Sequence, residues 1–127
     1  MTFSPLLAAR VAAAFALAHA LTAAAQGTDA DVLAAKAAFD KGDRARLDAI
    51  APRAKGHPLE PYVAYWRLKL GIDTAEPETV RAFVVRNASS PLAERAQADW
   101  LKALGKKGDW ARFSTAYGSG GYEDVEI

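Results

Sequence analysis

Apolar residues recur along this chain at helical spacing, and short punctuation interrupts them. Val32, Ala35 and Phe39 fall at i, i+3 and i+7, predicting a helix from about Asp29 to Lys41. Gly42 can take the left-handed conformation that ends such a helix, and Asp43 can cap the next one. Leu47, Ile50, Ala51 and Ala54 form the stripe of that second helix, which Gly56 closes. His57-Pro58 marks a break, because a residue before proline is pushed out of the helical region. A longer helix then carries Leu59, Tyr62, Val63, Trp66 and Leu70 and ends at Gly71.

The second half repeats this order. Pro77 suits a first helical turn, followed by the stripe Val80, Phe83 and Val84. Asn87 to Ser90 makes a loop, with Ser90 as cap and Pro91 in the next first turn. Leu92, Ala96, Trp100, Ala103 and Leu104 line the following helix. Lys107-Gly108-Asp109 then repeats the Lys41-Gly42-Asp43 junction, and Trp110, Phe113 and Tyr117 mark the last of about six helices. No period-2 run of β-branched residues occurs, so the expected class is all-α. Connections of a few residues make neighbouring helices antiparallel hairpins.

An internal repeat organises these elements. Trp66-x-x-x-Leu70-Gly71 returns 34 residues later as Trp100-x-x-x-Leu104-Gly105, reading as two matching helix ends. Pro58-Leu59 and Pro91-Leu92 open the two segments, one residue out of register. Such a period marks stacked helical hairpins that cannot bury their apolar faces alone. The expectation is a fragment of an α-solenoid over residues 26–117. Residues 118–127 form a tail that begins a further helix in a truncated chain. An apolar face left open at that C-terminal end is expected to promote self-association.

The first 25 residues carry an address. Arg10 is the only charge before Asp29, and the apolar run from Val11 ends in Ala23-Ala24-Ala25, followed by Gln26-Gly27. A charged start, a short apolar run and a small-x-small site describe a secretory signal peptide over residues 1–25, cut between Ala25 and Gln26 with Ala23 as the other small residue. The run is shorter and more alanine-rich than a membrane span of about 20 residues. A periplasmic product without a membrane anchor follows, and the chain contains no cysteine for a lipid or a disulfide. Arg10 leaves with the signal, so the 15 basic residues that remain balance the 15 acidic ones. The basic excess of a nucleic-acid groove is missing.

Segments in this order resemble the N-terminal superhelical (U-shaped) domain of soluble lytic murein transglycosylases. The resemblance is carried by His57-Pro58-Leu59-Glu60-Pro61-Tyr62-Val63-Ala64-Tyr65-Trp66-Arg67-Leu68, with Ala38 to Asp43, Ser90 to Arg95, Asp99 to Gly105 and Gly108-Asp109-Trp110 in support. It covers about residues 29–117. It implies the scaffold portion of a periplasmic enzyme that cleaves murein glycan strands and leaves 1,6-anhydromuramoyl ends, with peptidoglycan as partner through the full-length enzyme. The family's catalytic glutamate sits in a Glu-Ser pair of a C-terminal domain. None of the six glutamates here is followed by serine, so no catalytic residue carries over.

Nothing else in the chain supplies one. Glu60, between prolines at a helix start, has a capping role to fill. Asp99 adjoins Trp100, but consecutive helical residues point in different directions. His57 lacks a nucleophile or metal partner at a useful spacing, and no cofactor or metal is implied. Trp66 and Trp100 occupy equivalent packing positions, where large rings weld helices together. Tyr65 lies off the apolar stripe and is the candidate for an exposed contact with a glycan or partner. The alternative to the enzyme scaffold is a free-standing periplasmic helical-repeat adaptor. The tetratricopeptide pattern is a relative of that kind, though its Trp-x-x-Leu-Gly core is one residue shorter.

Overall fold

A computed structural model describes residues 26–118. The expected signal peptide, with Ala23 and Ala25, and residues 119–127 of the expected tail lie outside the described residues. Within them the chain is all-helical. The α-helices are α1 (Asp29–Asp40), α2 (Arg44–Ile50), α3 (Glu60–Leu70), α4 (Pro77–Arg86), α5 (Pro91–Lys107) and α6 (Trp110–Gly118), with 3₁₀ turns at Ala51–Ala54 and Ile72–Thr74.

Local chemistry sets most of these boundaries. Thr28 caps α1 through a reciprocal box: its hydroxyl accepts from the Asp31 N–H at 3.2 Å, and Asp31 accepts from the Thr28 N–H at 3.1 Å. The two Thr28 donors, backbone first and hydroxyl second, hold the Asp31 carboxyl below its ordinary range. Asp43 and Asp109 open α2 and α6 with the one-way half of such a cap, accepting from the N–H groups of Arg46 and Arg112. Gly42 and Gly108 have φ of +67° and +72°, the left-handed geometry that lets a chain leave a helix at once.

Three boundaries differ from expectation. The second helix tightens into a 3₁₀ turn at Ala51 because Pro52 brings no N–H to the α-helical ladder. The two Trp-x-x-x-Leu-Gly segments are not matching ends: Gly71 caps α3, whereas α5 runs through Gly105 to Lys107 and stops at Gly108. Two lysines that favour helix follow Gly105, and the left-handed position falls three residues later. Gly118, placed in the tail by its glycine-rich surroundings, is helical and belongs to α6.

Packing forms two apolar clusters that meet at α3. Val32, Ala35, Ala38, Leu47, Ile50, Ala54 and Val63 join α1, α2 and the first 3₁₀ turn to one side of α3. Tyr65, Leu68, Val80, Phe83, Leu92, Ala96, Trp100 and Leu104 join its other side to α4 and α5. Trp66 packs at the edge of both clusters and stacks on Phe39 with centroids 5.9 Å apart. The single stripe expected for α3 is therefore corrected. Tyr62 and Leu59 are exposed, while Val63, Tyr65 and Leu68 are buried, because the helix is covered from two directions.

The tryptophan pair is likewise unequal: Trp100 is buried, whereas Trp66 is half-buried. At the far end α6 buries no residue completely. Phe113 and Ala116 lean on the second cluster, while Trp110 is 61% and Tyr117 47% exposed.

Leu47 is fully enclosed and Leu33 is 69% exposed, though both are leucines on helices of the first hairpin. Leu47→Ala should lower stability by about 3 kcal/mol through lost burial and a residual cavity. Leu33→Ala should stay within about 0.5 kcal/mol. Urea melts of the chain starting at Gln26 measure both.

Candidate functional site

The polar groups of greatest interest lie between α3 and α5, at the residues that precede the two tryptophans. The Tyr65 hydroxyl donates to Asp99 Oδ2 at 2.5 Å, joining positions 34 residues apart. The Tyr65 ring also meets Phe83 of α4, with centroids 6.2 Å apart. Lys69, one turn after Tyr65, places Nζ 3.8 Å from Asp99 Oδ2 and 5.8 Å from the centre of the tyrosine ring. Burial first, then the hydrogen bond to Asp99, pushes the Tyr65 phenol well above its ordinary value.

This geometry corrects the sequence expectation for Tyr65. Only 4% of the residue is exposed, so its ring is not a surface for a glycan or partner. Its place off the Leu59–Tyr62–Trp66 stripe is real, but a second set of helices covers that flank. The 34-residue spacing that links Tyr65 with Asp99 was the available signal.

Asp99 also lines a hollow of about 590 Å³ between the Ile72–Thr74 turn, α5 and α6, walled by Lys69, Lys102, Lys106, Trp110 and Phe113. A second groove, of about 720 Å³, runs between α4, α5 and α6. Val80, Val84, Trp100 and Ala116 give it apolar lining, and Glu78, Arg81 and Arg112 are charged residues along it. Arg81 lies 3.8 Å from Glu78, and Arg112 lies 3.8 Å from Glu76 and 3.6 Å from Asp109. Trp110, Phe113 and Tyr117 form a continuous aromatic edge on α6: Trp110 meets Phe113 edge-on at 5.5 Å, and Phe113 stacks with Tyr117 at 6.2 Å.

The remaining singled-out groups have structural partners. Glu60 Oε2 accepts from the Gly56 N–H at 2.9 Å. His57 Nδ1 accepts from the Leu59 N–H at 3.0 Å, which fixes the proton of a neutral ring on Nε2, and that atom lies 2.7 Å from Asp29 Oδ1. The ring thus ties the start of α3 to the start of α1. Among the described residues, no group of three or more histidine, cysteine, aspartate or glutamate side chains is placed to hold a metal ion. No described helix is long and apolar enough to cross a membrane.

Acid catalysis on a glycoside needs a carboxyl held protonated in a cleft. Asp99 is the nearest approach to that arrangement, but its Oδ2 accepts from the Tyr65 phenol and faces Lys69, so it is engaged within the protein. No family model matches the chain, and no curated protein or solved structure matches it either.

Tyr65→Phe should cost about 1.5–3 kcal/mol, the usual range for losing a hydrogen bond to a charged acceptor while the ring stays packed. The folded state holds the phenol proton more tightly than the unfolded one, so this stabilisation is complete below about pH 10 and declines as pH rises further. Urea melts from pH 8 to 11 should show a steeper alkaline loss for the native chain than for Tyr65→Phe. Equal slopes would contradict the buried phenol.

Proposed function

We propose that the chain is the N-terminal helical scaffold portion of a periplasmic peptidoglycan lytic transglycosylase, with glycan cleavage carried by a separate catalytic domain. The ordered resemblance of residues 29–117 to the superhelical domain of that family supports this reading. The observation that carries it furthest is the contact between the two repeated segments: α3 and α5 pack together, and Tyr65 bonds to its repeat counterpart Asp99. Repeats whose corresponding positions meet across their interface suit an α-solenoid, which grows by adding like layers. The proposed role is architectural. The scaffold positions a catalytic domain on murein, and the acidic residues here serve caps and ties.

The periplasmic address belongs to the same proposal and rests on the signal-like first 25 residues. Self-association at the C-terminal end is also part of it: α6 leaves Trp110 61% exposed, and open aromatic surface favours association. A second reading, the helical-repeat adaptor, is favoured by the groove between α4, α5 and α6, which has the apolar lining and charged margin of a peptide seat.

Incubated with isolated murein sacculi, the chain starting at Gln26 should release no anhydromuropeptides by chromatography with mass detection. Digestion by this chain alone would overturn the scaffold reading. The reading frame after codon 127 separates the two proposals. A continuation into a domain with a Glu-Ser pair supports the enzyme scaffold, and a stop codon there supports the adaptor.

A further inference from the structure

We propose that the hollow between the Ile72–Thr74 turn, α5 and α6 is a binding site for a sugar ring that carries a carboxylate. The site stands on the geometry of this chain and does not depend on a catalytic domain following it.

Gly105 is the first sign of it. This glycine lies within α5, and its backbone is not left-handed, unlike that of Gly42, Gly56 and Gly108. A Cβ there would meet nothing closer than Phe113 Cε2 at 4.0 Å, an ordinary contact. Alanine would therefore fit, and it would hold the helix better than glycine does. What glycine leaves instead is room, because Gly105 lines the hollow of about 590 Å³. The fold gains nothing from glycine at this position, whereas the hollow gains space.

The rest of the lining sets the chemistry. Three lysines, Lys69, Lys102 and Lys106, and two acids, Asp73 and Asp99, line the hollow. Lys69 and Asp99 lie 3.8 Å apart, but Lys102 and Lys106, one turn apart on α5, have no partner among the described residues. Trp110 is 61% exposed and stands edge-on to Phe113 at 5.5 Å, with the ring planes 69° apart. A flat base can lie on one of these faces but not on both. A pyranose can touch both, because its C–H groups point in several directions. Its hydroxyls donate to carboxylates and accept from ammonium groups, which uses both signs of charge in the lining. A polyphosphate would meet Asp73 as a like charge. One carboxylate on the ring suits the two unpaired lysines, which act as compact point charges. The hollow also has the size of a small-molecule pocket.

Titration of the full chain with N-acetylmuramic acid tests the site, read from NMR shifts of the Gly105 and Phe113 amides. Both amides should shift and saturate. N-acetylglucosamine, the same ring without the lactyl carboxylate, should bind about three- to five-fold more weakly, and added salt should narrow that gap. Lys106→Gln should bring the two sugars together. Trp110→Ala should weaken both. Gly105→Ala should raise the melting temperature yet weaken binding, which a merely structural glycine would not do. Glucuronic acid forms a second arm: binding of either acid supports the site, and the tighter one names the source of the sugar. Equal affinity for acid and neutral sugar in the native chain would overturn the proposal, as would shifts unaffected by Lys106→Gln and Trp110→Ala. Tighter binding of a tetraglutamate peptide than of either sugar acid would also overturn it, in favour of an acidic protein segment.

Discussion

α3 is the constraint on which the described domain depends, because it has to be buried from two sides. Its eleven residues supply Val63 to the cluster around α1 and α2, and Tyr65 and Leu68 to the cluster around α4 and α5. Neither hairpin touches enough apolar surface without this shared wall. A change that rotates or shortens α3 therefore weakens both clusters together, which couples the two halves into one folding unit. Apolar contact alone would leave the register of α3 on α5 loosely specified. The Tyr65–Asp99 bond restricts it, since a directional bond between part-buried groups is satisfied in one arrangement and costly when broken.

Helix existence was legible because the punctuation is local. Gly42, Asp43, Pro77, Ser90, Pro91, Gly108 and Asp109 act on the few residues beside them, so their effects can be read without knowing what packs where. The faces of α3 were less legible. A helix covered on one side shows one stripe, but a helix between two clusters spreads its buried residues around the cylinder, as Val63 and Tyr65 do. Trp66 and Trp100 show the same limit. Identical spacing predicts equal environments, but Trp100 is buried within the second cluster whereas Trp66 packs at the edge of both clusters. Gly105 reads as a stop from spacing alone, but it sits within α5, and the chain turns left-handed only at Gly108.

Acidic side chains in this domain largely serve construction. Asp31, Asp43 and Asp109 accept from the first turns of helices, Glu60 fastens Gly56, and Asp29 fastens His57. Asp99 joins two layers. Such roles orient these carboxylates toward the protein, whereas a proton donor to a sugar oxygen has to face its substrate. The proposed scaffold role is consistent with this distribution of charge.

Tyr65 and Asp99 each precede a tryptophan at the 34-residue spacing, yet their bond needs one phenol and one carboxylate. If copying between repeats made the two positions identical, two tyrosines would compete for one space, or two carboxylates would repel across a part-buried seam. The interface therefore selects against sameness. Neighbouring repeats can share tryptophans, glycines and length, but they have to diverge at the position where they touch. In the proposed solenoid, internal similarity would be eroded by the contacts that hold it together.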